Sequence, residues 1–216
     1  MVRPSHLLPV VIVLAILGAT LGAFALLHHH ALTSPPSAAP QAENVPAPAF
    51  QLIDQYGHPV SLASLHGKTV AVTLLDDVCT SDCPIIAQEF RAADELLGHD
   101  ARRVELVAIN GNPRFITPDY LRAFDQEEGL RSLPNWLYLT GSSLSQLQRA
   151  WRSFGMYSAS LPGGAMIYHS DIAEVIDRHG HIRYLLNTDP GPATAETKSA
   201  FAVTLSDTIR KVLGPA

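Results

Sequence analysis

The sequence is poor in basic residues, and no stretch of it forms a basic stripe. Its 15 lysines and arginines are outnumbered by 20 aspartates and glutamates, which leaves a formal net charge of -5. Nucleic-acid-binding proteins concentrate positive charge on one face, so the composition argues against a nucleic-acid partner. A glycine-rich phosphate loop and internal repeats are also missing. Nucleotide chemistry and a repeat architecture are therefore not supported.

Cysteine is almost absent as well, and the only two cysteines of the chain lie close together. Cys79 and Cys83 occur in the segment VCTSDCP, between an apolar run at 69–75 and a helical pattern that begins at Pro84. A separation of four residues lets both sulfurs face the same side of a first helical turn. The spacing therefore suits either one metal ion or one disulfide.

The protonation state of this cysteine pair depends on two opposing effects. Proline is favoured at the first position of a helix, so Pro84 predicts that Cys83 lies at or near the N-cap. The positive end of a helix dipole favours a thiolate there. Asp76, Asp77 and Asp82 carry negative charge nearby and disfavour a second anion. The sequence leaves the sign of the net pKa shift open.

An inert structural disulfide is the alternative for the two cysteines. Such bridges are natural in an oxidising compartment. A bridge that closes so few residues constrains the unfolded chain little, because its entropic benefit grows with the length of the closed loop. This comparison favours a functional pair over a structural one.

Charged side chains are missing from residues 7–27, which are rich in Leu, Val, Ile and Ala. The segment is long enough to span a bilayer as a helix. Arg3 precedes it, and the next lysine or arginine is Lys68, so the positive-inside rule puts the N-terminus in the cytoplasm. We predict a single-pass anchor over residues 1–27 and an extracytoplasmic location for the rest of the chain.

A cleaved signal peptide is the alternative to this anchor, since the small residues Ala23 and Ala25 flank Phe24 in a plausible cleavage pattern. No cysteine lies near the end of the apolar segment, so a lipid attachment residue is missing. Residues 28–49 contain five prolines with Ser and Ala. They predict an extended, semi-stiff linker to a single folded domain over residues 50–216.

The folded domain shows alternating strand and helix patterns. Alternation of this kind, ending in a β-hairpin and a helix, predicts a mixed α/β sheet covered on both faces. The predicted strands are 50–53, 60–62, 69–75, 104–109, 136–139, 172–176 and 182–186, and the predicted helices are 84–97, a helix from 118, 144–154 and 195–212.

This order of elements, with Cys-x-x-x-Cys-Pro at the first main strand-to-helix junction, resembles the thioredoxin-like fold. Within that fold it resembles the Sco/SenC family of cytochrome oxidase copper-assembly proteins. The segment YHSDIAEVID at 168–177 matches the family segment that carries a histidine ligand. The resemblance implies copper, as Cu(I) or Cu(II), bound by Cys79, Cys83 and His169. Two thiolates and one imidazole form a soft, mixed donor set that suits copper, particularly Cu(I), and would also accept zinc.

The resemblance implies an extracytoplasmic metallochaperone rather than an enzyme. Its expected partners are the copper-bearing subunit of a cytochrome c oxidase or another copper chaperone, and a thiol reductant. The copper-free form is expected to cycle between a dithiol and a disulfide of the redox pair Cys79 and Cys83. The alternative is an extracytoplasmic thiol-disulfide oxidoreductase or redoxin that works without copper. In that case Cys79 or Cys83 is the nucleophile, and His169 matters little.

Two stretches depart from the family pattern. Family members have an aromatic, Thr-rich lead into the first cysteine, where this chain has Leu75-Asp76-Asp77-Val78. They also commonly carry Asp-Pro followed by Arg-Asp-Thr-Pro after the second strand, where residues 110–118 read NGNPRFITP without an acid.

The segment 157–166, rich in small residues, precedes His169. It is either a mobile flap or an ordinary connecting loop.

Overall fold

A six-stranded mixed sheet forms the centre of the computed structural model, which describes residues 40–160, 163, 165, 167–188 and 200–214. The predicted mixed α/β class is confirmed. The strands are β1 Gln41–Pro46, β2 Gln51–Ile53, β3 Pro59–Ser61, β4 Thr69–Leu75, β5 Val104–Asn110, β6 Trp136–Leu139, β7 Ser158–Ser160, β8 Ile167–His169, β9 Ile172–Ile176 and β10 His181–Asn187. The helices are α1 Asp82–Leu97, α2 Pro118–Glu127, α3 Leu144–Ser153 and α4 Ala200–Leu213.

The strand order in this sheet is β1-β10-β9-β4-β5-β6. Strands β4, β5 and β6 run parallel, while β9 runs antiparallel to β4. All seven residues of β4 and of β5 are buried, as expected for parallel strands that are covered on both faces. Because β4 and β5 are parallel neighbours, the chain leaves both strands at the same edge of the sheet. The cysteine segment follows β4 at this edge.

Two hydrophobic clusters cover the two faces of the sheet. The first cluster packs α1, α2 and α4 on one face, and its largest members include Phe90, which lies edge-on to Trp136. The second cluster packs α3 and the β2–β3 hairpin on the other face, around Phe50 and Trp151. The domain is therefore three layers thick, and the predicted N-terminal hairpin is confirmed as part of one outer layer.

The linker predicted over residues 28–49 was too long at its C-terminal end. Residues 41–46 form strand β1 and belong to the sheet. Strand β1 pairs antiparallel with β10 through backbone hydrogen bonds and is one of the two edge strands of this sheet. Five of its six side chains are exposed, so it lacks the apolar alternation by which half-buried strands are identified. Pairing through the backbone alone leaves no such signal in the sequence.

The predicted membrane anchor at 1–27 lies outside the described residues. Within the part of the chain that the structure describes, no helix combines the length and the apolar character needed to cross a bilayer. The anchor therefore stays a prediction from the sequence.

Glu89 on helix α1 forms a hydrogen bond with the first turn of α4. It is buried, and its Oε2 accepts a hydrogen bond of 2.8 Å from the backbone N–H of Ala202, in the first turn of α4. A carboxylate at this position satisfies an otherwise unpaired donor and interacts favourably with the helix dipole. We expect Glu89→Ala to lower the free energy of unfolding by about 1–2 kcal/mol in urea titrations.

The exposed Glu95 on the same helix provides the matched control for this prediction. Its ion pair with Arg91 spans 3.5 Å at the surface, and such pairs contribute about 0–1 kcal/mol. Equal losses for Glu89→Ala and Glu95→Ala would contradict a capping role for Glu89.

Candidate functional site

The two cysteines lie in different environments at the edge of the sheet where β4 ends. Cys79 is half-buried in the loop after β4, whereas Cys83 is fully buried against the first hydrophobic cluster, and both are free thiols. Helix α1 begins at Asp82 with Ser81 as its N-cap, so Cys83 is the second helical residue rather than the N-cap. Pro84 is the third helical residue and not the first. Proline is tolerated throughout the first turn of a helix, because the backbone N–H groups there have no helical partner.

His169, the last residue of β8, lies next to this cysteine pair. Its Nε2 lies 3.2 Å from Cys83 Sγ, although the two residues are 86 positions apart in the sequence. Its Nδ1 lies 3.1 Å from the backbone carbonyl oxygen of Ser170, which can only accept a hydrogen bond. Nε2 is therefore the ring nitrogen that faces Cys83. An imidazole binds a metal ion through such a nitrogen in its neutral form.

The hydrogen bond between the two thiols splits their acidities. It lowers the pKa of Cys79 to about 5, and contacts with Ser81 act in the same direction. The same hydrogen bond, together with burial, raises the pKa of Cys83 well above its usual range. At neutral pH the accessible Cys79 is the thiolate, and the buried Cys83 keeps its proton until a ligand displaces it. The structure thus decides a question that the sequence left open.

A cluster of buried polar side chains lies beneath the cysteines. Asn110 Nδ2 donates to Asp77 Oδ2 at 3.3 Å and to the carbonyl oxygen of Phe115 at 2.8 Å. Burial, and then the negative charge of Asp76, raise the pKa of Asp77 to about 8. Among the described residues nothing donates to the other oxygen of Asp77. Asp77, before Cys79, thus contacts the amide of Asn110 at the end of β5.

Sequence reasoning missed three members of this cluster. Asn110, Asn112 and Tyr138 are fully buried, and the Tyr138 hydroxyl donates to the carbonyl oxygen of Leu75 at 3.1 Å. A signal for the two asparagines was available, because polar residues that follow neighbouring parallel strands meet at one edge of the sheet. Tyr138 lies within an apolar strand pattern and offered no such signal.

The segment 157–166 is partly a β-ribbon. Strand β7 pairs antiparallel with β8, and Ser158 lies opposite His169. The Ser158 hydroxyl donates to the carbonyl oxygen of Gly111 at 2.5 Å, which attaches the ribbon to the loop after β5. Residues 161, 162, 164 and 166 lie outside the description. The two interpretations of this segment, a mobile flap and an ordinary connecting loop, both stay predictions.

The structure brings together the three residues that the sequence analysis selected. Cys83 contacts His169 directly, and Cys79 is hydrogen bonded to Cys83. In the described part of the chain, no three His, Cys, Asp or Glu side chains are arranged as a formed metal-binding group. A metal-bound arrangement of Cys79, Cys83 and His169 therefore stays a prediction.

Comparison with protein families gives one match that spans most of the chain. Residues 38–203 match the model of the SCO1/SenC family. A comparison with curated proteins finds no match.

Comparison with solved structures finds the same architecture. A structure of Bradyrhizobium japonicum ScoI with copper bound is 24% identical over 74% of this chain and 98% of that chain, with a TM-score of 0.59. A SCO1/SenC family lipoprotein from Bacillus anthracis is 19% identical over 82% and 99% of the two chains, with a TM-score of 0.66. BsSco, described with a disulfide switch, is 24% identical over 74% and 96%, with a TM-score of 0.58. At these identities the likeness establishes a shared fold.

Proposed function

The chain belongs to the SCO1/SenC family, and on this premise we propose that it is a copper metallochaperone that helps assemble the copper centre of a cytochrome c oxidase. Copper is the cargo, and Cys79, Cys83 and His169 are its ligands. Relatives of the same fold support the proposal, since one was solved with copper bound and another is described as a member of a family of cytochrome c oxidase assembly proteins.

The observation that carries this proposal is the contact of 3.2 Å between Cys83 Sγ and His169 Nε2. An imidazole and a thiol that meet at such a distance, with a second thiol hydrogen bonded to the first, are a soft donor set gathered in one place. A disulfide exchange site needs the two sulfurs but has no need of the imidazole. The presence of His169 therefore favours copper over thiol chemistry alone.

The different environments of the two cysteines suit delivery of a metal ion. Copper binding displaces the proton of Cys83, and Cys79 supplies a thiolate that is already formed. Three protein ligands leave a coordination position open for an incoming ligand. Because Cys79 is the more exposed sulfur, a thiolate of the partner replaces it first, and copper leaves by stepwise ligand exchange.

The location that goes with this function is the outer side of a cell membrane. We place a single-pass anchor at 1–27, with the N-terminus in the cytoplasm, and a short linker between it and β1. The folded domain begins at β1 instead of residue 50. The partners are the copper-bearing oxidase subunit or another copper chaperone, and a thiol reductant.

Thiol-disulfide exchange is the second candidate function, and the lowered pKa of Cys79 favours it. In this reaction the Cys79 thiolate attacks a partner disulfide and releases one partner thiolate. Cys83 then loses its proton and attacks the mixed disulfide, which leaves a Cys79–Cys83 disulfide and a partner dithiol. A dithiol reductant restores the two thiols by the reverse steps, and it becomes oxidised to its own disulfide.

Anaerobic copper titration of the reduced full-length chain in detergent separates the two functions. We expect one copper per chain with a thiolate-to-copper charge-transfer band on Cu(II) binding. His169→Ala should abolish tight binding and this band, but leave exchange with small disulfides largely intact. The band identifies sulfur ligation, so copper bound adventitiously by His28, His29 and His30 does not contribute to it.

His179→Ala is the matched control, since it removes an exposed histidine at the β9–β10 turn. It should bind copper like the unmodified chain. Weak binding that is indifferent to His169, together with rapid disulfide exchange, would contradict the metallochaperone and leave the oxidoreductase.

A further inference from the structure

Asp76 is the buried acid through which several segments of the site meet. It is fully buried directly after β4, and its backbone N–H donates to Cys83 Sγ at 3.3 Å. Its Oδ1 accepts from the backbone N–H of Val78 at 3.1 Å and from Asn112 Nδ2 at 2.8 Å. Its Oδ2 accepts from the backbone N–H of Ile167 at 3.0 Å. Both carboxylate oxygens are thus used.

These contacts join three segments that are far apart in the sequence. Val78 belongs to the cysteine loop, Asn112 to the loop after β5, and Ile167 is the first residue of β8. His169 is the last residue of the same three-residue strand. The position of the imidazole relative to Cys83 therefore depends on where Asp76 holds the start of β8.

The loop after β5 supports the same strand from a second side. Asn112 Nδ2 also donates to the carbonyl oxygen of Ala165 at 3.0 Å, and Arg114 Nη2 donates to that oxygen at 2.8 Å. A Cβ added to Gly111 would lie only 3.0 Å from Ile167 Cδ1, so Ile167 packs directly against this glycine. Asp76 and Asn112 together fix the chain immediately before β8.

We infer that Asp76 is a positioning residue, whose carboxylate anchors β8 so that His169 Nε2 stays within reach of Cys83 Sγ. This inference rests on the proposed function, because it assigns Asp76 the task of holding a copper ligand in place.

A double-mutant cycle with Asp76→Asn and His169→Ala in the full-length chain tests this role. Asparagine keeps the size of the side chain but turns an N–H₂ group towards one of the donors. Removing a group that orients a metal ligand costs about 10–100-fold in affinity, and we expect Asp76→Asn to weaken Cu(II) binding by this factor. In the His169→Ala background the same change should cause no further loss of the weaker binding that the two cysteines retain. An equal loss in both backgrounds, or none in the first, overturns the inference.

A measurement on the copper-free protein keeps the test independent of the proposed function. The ring resonances of His169 in NMR spectra should show one ordered environment in the unmodified chain and lose it in Asp76→Asn and in Asn112→Ala. Unchanged resonances in Asp76→Asn overturn the inference, whatever Asn112→Ala does. Failure of the proposed function is recognised separately, as unchanged copper binding in the single variant His169→Ala.

Asp125→Asn controls for neutralising a buried acid. Asp125 is also fully buried, but its hydrogen bond comes from Trp136 Nε1 at 2.8 Å. The variant Asp125→Asn should leave both the copper affinity and the His169 resonances unchanged. Parallel changes in Asp125→Asn and Asp76→Asn would indicate general loss of structure and overturn a specific role for Asp76.

Discussion

Iodoacetamide is expected to label Cys79 at least about 100-fold faster than Cys83 in the folded, reduced protein at pH 7. The reagent reacts with thiolates, and the hydrogen bond from Cys83 lowers the pKa of Cys79 to about 5. Cys83 is fully buried, and the same hydrogen bond together with burial raises its pKa. Peptide mapping by mass spectrometry after timed quenching measures both rates.

The pH dependence of this labelling provides a second readout. A thiol with a pKa of about 5 is already ionised at pH 6, so the rate at Cys79 should be nearly constant from pH 6 to 8. An ordinary thiol gains about tenfold in thiolate per pH unit over this range. Cys83→Ala removes the hydrogen bond that lowers the pKa, and the rate at Cys79 should then fall at pH 6 and rise with pH. Similar rates at the two cysteines in the folded protein would contradict the assignment.

Replacing Glu174 with glutamine is expected to stabilise the protein at pH 8 by about 3 kcal/mol and to change little at pH 4. Glu174 is buried on β9, opposite Val72 of β4 and Leu185 of β10. Burial raises its pKa from 4.5 to about 7, and its Oε2 has no hydrogen-bond partner among the described residues. The folded state therefore holds this proton more tightly than the unfolded state.

The sign of the effect follows from this difference in proton binding. A raised carboxyl pKa contributes stability that is complete below about pH 4.5, declines as the pH rises, and is lost above about pH 7. Glutamine cannot ionise, so the variant should lack this part of the decline. Urea unfolding, followed by the fluorescence of the buried Trp136 and Trp151, measures the free energy at each pH.

Glu127→Gln makes the same chemical change at an exposed position of helix α2. Its unfolding profile should follow that of the unmodified protein across the pH range. A Glu174→Gln variant that is no more stable than the unmodified protein at pH 8 would contradict an apolar, uncompensated environment for Glu174.

Much of the fold was predictable because buried parallel strands carry a strong local signal. The predicted strands 69–75 and 172–176 coincide with β4 and β9, and the apolar stripe of 84–97 matches α1 within two residues. The edge strand β1 was assigned to a linker, since its pairing relies on backbone hydrogen bonds and its side chains are mostly exposed. Local patterns reveal what a segment buries, and β1 buries little.

The three candidate ligands were predicted before the structure was known, but the contacts between them and their buried neighbours were not. Cys79 and Cys83 stand out because they are the only cysteines and lie at a strand-to-helix junction. His169 was selected through a resemblance, since one of ten histidines has no local mark of its own. The buried cluster of Asp76, Asn110 and Asn112 was missed as a unit, because its members meet only when β4 and β5 lie side by side.

The sequence by itself determined most of the helices and strands and the single cysteine pair, because these depend on residue identity and on periodicity along a few turns. Only the tertiary structure decided which thiol is acidic, which acid holds the histidine strand, and where the folded domain begins. Each of these depends on burial and on hydrogen bonds between residues far apart in the chain. Cys83 meets His169 across 86 positions, and Asp76 meets Ile167 across 91.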